Sequence, residues 1–279
     1  MTTSLFATRR IGDFLVTALR DGALSVDLTL LSGIRPAEAG RLQHQAGVEQ
    51  PANIPINAYL IRGRGLTILV DTGTGGLNGA GGQLQANLAL TGISPDEVDM
   101  VLLTHGHPDH IGGLLDGDGC PVYRHARLYI HPLEVQYWQD DEKFTMASER
   151  GQRNFIQFRR SLDAYKQSLS FIGEQPITEG ITPVWLPGHT PGHSGFRIHS
   201  AENDLLIWGD IVHFPHIQST YPDVSIAFDV CAIQAGETRK KILARAAAEK
   251  WLIAGMHLGP AGFARVENVA GEYRLDYSE

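Results

Sequence analysis

The sequence is poor in cysteine, with only Cys120 and Cys231 in 279 residues. That excludes a disulfide framework, and neither residue has the CxxC spacing of a thiolate zinc site. Both read as ordinary, partly buried thiols in a reducing compartment, so a cytoplasmic location is expected. No run approaches the roughly 18 apolar residues of a membrane-spanning helix. The opening "MTTSLFATRRIGDF" lacks the long apolar core of a secretory signal. Positive charge is also scarce: 23 Lys and Arg face 31 Asp and Glu, for a net charge of −8. That balance counts against a nucleic-acid or anionic-membrane partner. No low-complexity linker, composition shift or short repeat divides the chain, so residues 1–279 are expected to form one α/β domain.

What the sequence does have is a set of short apolar runs, each ending in a polar residue. "LTILVD" ends at Asp71, "MVLLTH" at His105, "VWLPGH" at His189, "LLIWGD" at Asp210 and "WLIAGMH" at His257. Runs of this length, rich in Val, Ile and Leu, read as buried strands. Polar residues just past strand ends gather at one rim of a sheet, where α/β folds place their sites. Helices are expected between the runs. "SPDEVD" from Ser94 carries a capping serine, a proline and Glu97. Phe155, Phe158, Leu162, Tyr165 and Leu169 repeat at helical spacing within 147–170. Residues 233–250 are rich in helix formers. The glycine clusters at 73–82 and 112–119 read as loops. Segment 33–55 is the most loop-like, either a flap over a pocket or a surface excursion.

The stretch "LLTHGHPDHIGG", residues 102–113, concentrates ligand chemistry. His105 and His107 are two apart and face the same way on extended chain. Asp109 and His110 follow Pro108, where the chain turns. Two adjacent cations suit this arrangement better than one. Such a pair needs about seven protein ligands, and this stretch supplies four. His189 can complete the first cation's histidines and His257 the second set. Asp210 can bridge, because a carboxylate spans cations about 3.5–4 Å apart. A lone histidine carries no such weight. His44, His125, His131 and His199 read as surface or hydrogen-bonded residues.

"THGHPDHIGG", "DTG", "PGHTPGH", "WGD" and the late "GMH" together resemble the metallo-β-lactamase superfamily over roughly residues 55–260. The resemblance implies an αβ/βα four-layer sandwich with a dinuclear site at one edge of two facing sheets. It implies that His105, His107 and His189 hold one metal, that Asp109, His110 and His257 hold the other, and that Asp210 bridges. Asp71 is then the carboxylate that orients a ligand histidine, and His193 a further supporting residue. True β-lactamases generally lack the bridging aspartate. "GDIVHFPHIQ", "YPDVSIAFD" and "GMHLGPAGFARV" are most similar to the branch holding methyl parathion hydrolase and N-acyl-homoserine lactonases. Small lactonases of that branch commonly carry a substrate-contacting tyrosine three residues after the bridging aspartate; here that position is His213.

The implied chemistry is hydrolysis of a small-molecule lactone, aryl ester or phosphotriester by a hydroxide between two divalent ions. Lactones are favoured. Zinc is the default metal, and manganese, iron or cobalt fit the same ligands. Asp109 is expected to shuttle a proton and His213 to hydrogen-bond the substrate oxygen. Phe214, Tyr221 and Phe228 either build an apolar pocket or pack as core. A homodimer is expected from the resemblance and the 155–169 stripe. The rivals are a glyoxalase II-like thioester hydrolase and a non-catalytic, metal-stabilised binding protein. The first would need a basic patch that the tail "ENVAGEYRLDYSE" does not offer. A nuclease would need a basic groove, and a flavin-linked reductase an appended flavodoxin domain; neither is visible.

Overall fold

A computed structural model describes residues 6–201, 203–259 and 261–278, with the backbone alone at Asn78. In chain order its elements are β1 (Thr8–Ile11), β2 (Phe14–Ser25), β3 (Leu31–Ser32), α1 (Pro36–Gln45), β4 (Asn53–Gly63), β5 (Leu66–Val70), α2 (Leu84–Leu90) and β6 (Met100–Leu102). Then come α3 (Pro108–Ile111), β7 (Arg127–Ile130), α4 (Pro132–Gln139), α5 (Asp141–Met146), α6 (Glu149–Ala164), β8 (Leu169–Phe171), β9 (Ile181–Trp185) and β10 (Ser194–Ser200). The remainder is β11 (Asn203–Ile207), α7 (Pro215–Gln218), β12 (Ser225–Ile226), α8 (Ala232–Glu249), β13 (Leu252–Ala254), β14 (Phe263–Val269) and β15 (Glu272–Asp276).

Among the described residues the strands form two large sheets. The first has the order β1-β2-β4-β5-β6-β7-β8 and the second β15-β14-β13-β11-β10-β9. Strands β5 to β8 run parallel, as do β11 and β13. Successive strand residues point to opposite faces, and the packing follows that alternation. In β5, Ile68 and Val70 join the core between the sheets, while Leu69 faces outward with Leu84, Leu88 and Phe158. In β11, Leu205 and Ile207 face inward and Leu206 packs with Ile242 and Leu243 of α8. The layers are therefore helices, sheet, sheet and helix, the αβ/βα sandwich.

The parallel strands set the position of the site. Asp71 directly follows β5, and His105, Asp210 and His257 follow the ends of β6, β11 and β13 by three residues. These ends meet at one edge of the sandwich, the usual location for a site in parallel sheets.

Several local expectations change. Segment 33–55 is not a loop: it folds into α1 and the start of β4, with Pro36 at the first helical position. Its residues Ala39 and Leu42 pack with Phe214, Ile217 and Val224 in a satellite core, where β3 pairs with β12. The helix in 147–170 ends at Ala164, so Leu169 lies on β8 and not on the helical stripe. The Ser94 segment is a single tight turn over Pro95–Glu97, with its capping box formed. Cys120 and Cys231 are exposed, not partly buried. Among the described residues no helix is long and apolar enough to cross a membrane.

Candidate metal centre

Seven side chains from both sheets converge at this edge. His105 Nε2 is 2.9 Å from His107 Nδ1, His107 Nδ1 is 2.9 Å from His189 Nε2, and His189 Nε2 is 3.1 Å from His105 Nε2. Beside them, Asp109, His110, Asp210 and His257 each bring a donor atom within 4.8 Å of the others. Asp210 stands between the two clusters. Its Oδ2 is 3.1 Å from His110 Nε2 and 3.0 Å from His257 Nε2. The same oxygen is 3.9 Å from His105 Nε2 and 3.8 Å from His189 Nε2.

Four of the five donor histidines are turned by what lies behind the ring, and the partner of one nitrogen decides which face the other presents. Asp71 Oδ2 accepts from His110 Nδ1 at 2.6 Å, leaving His110 Nε2 facing Asp109 and Asp210. The Thr104 hydroxyl donates to Asp71 Oδ2 at 2.6 Å and lies 3.0 Å from His105 Nδ1. Its free lone pair accepts the His105 Nδ1 proton, so His105 Nε2 faces the cluster without one. Pro55 O accepts from His257 Nδ1 at 2.7 Å, and Asp229 Oδ1 from His189 Nδ1 at 2.8 Å. His193 acts on the backbone: its Nδ1 donates to Leu186 O and its Nε2 accepts from Asp210 N, both at 2.9 Å.

The electrostatics differ between the clusters. Burial, with His110, His189 and His107 as neighbours, holds the His105 pKa well below its ordinary value. Burial and His189 do the same to His107. Burial also opposes a charge on His110, but Asp210, Asp109 and Asp71 outweigh it and hold that pKa well above normal. His257 is raised for a similar reason, by Asp210 and Asp109 against burial. Burial pushes Asp210 upward, yet His110, His257 and His213 pull it well below the usual carboxylate range.

The donor set fits two divalent cations. A tetrahedral zinc ion about 2.0–2.1 Å from each nitrogen leaves neighbouring nitrogens about 3.3 Å apart, close to the three-histidine spacing. Asp210 Oδ1 is buried and has no hydrogen-bond partner among the described residues. An unpaired buried carboxylate oxygen is costly, and a cation would satisfy it.

His213 also enters the centre, with Nε2 3.3 Å from Asp210 Oδ2 and with Nδ1 buried and without a hydrogen-bond partner among the described residues. Burial, only partly offset by Asp210, lowers its pKa to about 4, so the ring is neutral near pH 7. Of the three aromatic candidates, Phe214 and Phe228 share the satellite core, Phe214 as a buried member and Phe228 packed against it. Phe228 lies 6.4 Å from the His213 ring. Phe214 is fully buried in the satellite core, and Tyr221 is 45% exposed. Sequence reasoning missed Asp229, Arg239 and Glu134. Asp229 accepts from Ile226 N at 3.2 Å and lies 3.6 Å from Arg239. Arg239 is wholly buried and donates to Ile211, Pro222 and Val224 carbonyls. No local motif marks these residues; the partners that tie them to the site are distant in sequence, His189 for Asp229, Gly106 and Thr190 for Glu134 and Ile211 for Arg239.

The model of the metallo-beta-lactamase superfamily matches residues 53–257. The chain is 28% identical over 167 residues to the probable metallo-hydrolase YybB of Bacillus subtilis, covering 59% of this chain and 65% of that protein. It is 31% identical over 129 residues to the hydroxyacylglutathione hydrolase GloC of Haemophilus influenzae, covering 42% and 53%. The chain thus spans between 45% and 65% of the length of the curated relatives it matches. Among solved structures it resembles the hydrolase AbOPH, described as in the beta lactamase superfamily, with a TM-score of 0.90, 27% identity and coverage of 99% and 98%. It shares the fold of AidC, a dizinc quorum-quenching lactonase, with a TM-score of 0.92, 24% identity and coverage of 98% and 97%. With a family match over most of its length and two sheets that deliver a His/Asp donor cluster to one edge, the chain belongs to the metallo-beta-lactamase superfamily.

Proposed function

We propose that this chain hydrolyses ester-type bonds of small molecules with two divalent cations, zinc by the nature of the donors, and that lactones are its preferred substrates. The observation that carries the reading is Asp210, which stands between two donor clusters with one oxygen buried and unpaired among the described residues. His105, His107 and His189 would hold one cation; Asp109, His110 and His257 the other; Asp210 both. When bound, such a pair supplies Lewis acidity and brings the pKa of water toward neutrality.

The chain's own residues do the rest. Asp71, Thr104, Asp229 and the Pro55 carbonyl take the outward histidine protons and so turn the opposite ring nitrogens inward. Asp109 lies at the mouth, with its side chain 17% exposed and Oδ2 3.5 Å from His110 Nε2. That position suits it to pass a proton to the leaving oxygen. His213, neutral and donating from Nε2, can hydrogen-bond the substrate oxygen beside Asp210. Phe228 next to His213 gives an apolar neighbour for an acyl or aryl group.

The fold shared with a dizinc lactonase supports the lactone preference. Identity to a hydroxyacylglutathione hydrolase favours thioester hydrolysis as the second reading. Metal analysis combined with turnover of lactone, aryl ester, phosphotriester and glutathione-thioester substrates separates them. The expected result is two equivalents of metal and fastest turnover of a lactone. Turnover of the thioester alone would replace this reading with the second.

A further inference from the structure

We propose that Glu134 is the positioning residue of the three-histidine cluster, a single buried carboxylate that ties together the two loops carrying His105, His107 and His189. The inference rests on the metal reading above. Glu134 sits on α4, away from every strand end that carries a donor, and is 0% exposed. Its Oε1 accepts from Gly106 N at 2.9 Å and from Trp138 Nε1 at 2.7 Å. Its Oε2 accepts from Thr190 Oγ1 at 2.7 Å and from Gly192 N at 3.0 Å.

Gly106 is the residue between His105 and His107, and Thr190 directly follows His189. One side chain therefore reaches the loops of all three donors, which belong to different sheets. The approach leaves no slack. A Cβ on Gly106 would come within 2.4 Å of Trp138 Nε1, and one on Gly192 within 2.4 Å of Glu134 N. Burial raises the Glu134 pKa while the four donors, Thr190, Trp138, Gly106 and Gly192, pull it down, and together they hold both loops against α4. The second cluster is built differently: His110 leans on Asp71 and His257 on the Pro55 carbonyl. Glu134 should therefore tune one cation position and not the other.

The test is cobalt(II) titration of the metal-free protein, read by competition with a chromophoric chelator and by the visible absorption spectrum. It is made on the His257→Ala protein, which keeps every donor of the three-histidine cluster, with and without Glu134→Gln. The glutamine offers one acceptor oxygen where four donors converge. The expected result is cobalt affinity lower by about 10–100-fold, the range for residues that orient metal ligands, together with a changed spectrum. An unchanged affinity and spectrum with only a lower melting temperature would overturn the proposal, leaving Glu134 a support of the fold. If Glu134→Gln does not fold, Thr190→Val decides, since it removes one donor from Oε2. A smaller loss with the same spectral change supports the proposal, and no change overturns it. If the unmodified protein takes up fewer than two cobalt ions, the metal reading itself fails, and that failure is distinct from the other.

Discussion

Asp229 Oδ1 lies 2.8 Å from His189 Nδ1, on the far side of the ring from the nitrogen that meets His105 and His107. Its other oxygen accepts from Ile226 N, so one carboxylate links a candidate metal donor to strand β12. Burial would raise its pKa, but His189, His213 and Arg239 lower it to about 2, so it is an anion at any working pH. Replacing Asp229 with Asn removes that charge and lets the amide turn toward either partner but not both. Metal affinity at the three-histidine cluster should fall about 10–100-fold, with kcat/KM falling alongside. Equilibrium dialysis against zinc checks this; unchanged affinity would show that Asp229 does not orient His189.

The two clusters should respond differently to pH. His105 and His107 are held neutral by burial, so neither of these two carries a competing proton near pH 7. His110 and His257 have raised pKa values, so without a cation they retain protons that binding must displace. Loading of that cluster should strengthen as pH rises from 6 to 8, by up to about tenfold per unit for each proton displaced. Calorimetry in buffers of different ionisation enthalpy counts the protons released. Equal pH slopes for the two cations would contradict the assignment.

His213 separates substrate binding from metal binding. His213→Phe keeps an aromatic ring beside Phe228 and removes the N–H near Asp210. The expected effect is a fall in kcat of about 10²-fold, the cost of removing one transition-state donor, with metal content retained. Steady-state kinetics alongside metal analysis checks it. Loss of a cation with the activity would assign His213 to the donor set, as its place near His189 and Asp210 also allows.

Phe214 belongs to the satellite core and not to an open pocket wall. Phe214→Ala should cost about 3–5 kcal/mol of stability through the cavity it leaves, measured by urea unfolding. A loss below about 1 kcal/mol would place the ring in a site that collapses freely.

The fold and the donor candidates were legible because they share a local signature: an apolar run ending in His or Asp. Asp71, His105, His189, Asp210 and His257 all follow strands within a few residues. Glu134, Asp229 and Arg239 were not legible. Each is a charged residue outside any ligand-type motif, and its role arises only when groups far along the chain close around it: Gly106 and Gly192 on Glu134, His189 on Asp229, Ile211 on Arg239. Segment 33–55 misled because its prolines and glycines read as loop. Pro36 instead starts α1, which is held by apolar contacts to residues 214–226 that no local pattern announces. Leu169 continued the helical spacing by chance and is claimed by pairing with Leu128 on β7.

His105, His107, Asp109 and His110 come from the first sheet's half of the chain, and His189, Asp210 and His257 from the second. Neither half alone supplies all the donors of either cluster. Loaded cations would thus act as rivets across the seam between the sheets, and chelation should loosen that seam before it melts either sheet. Catalytic competence then becomes a report on whether the two halves have docked.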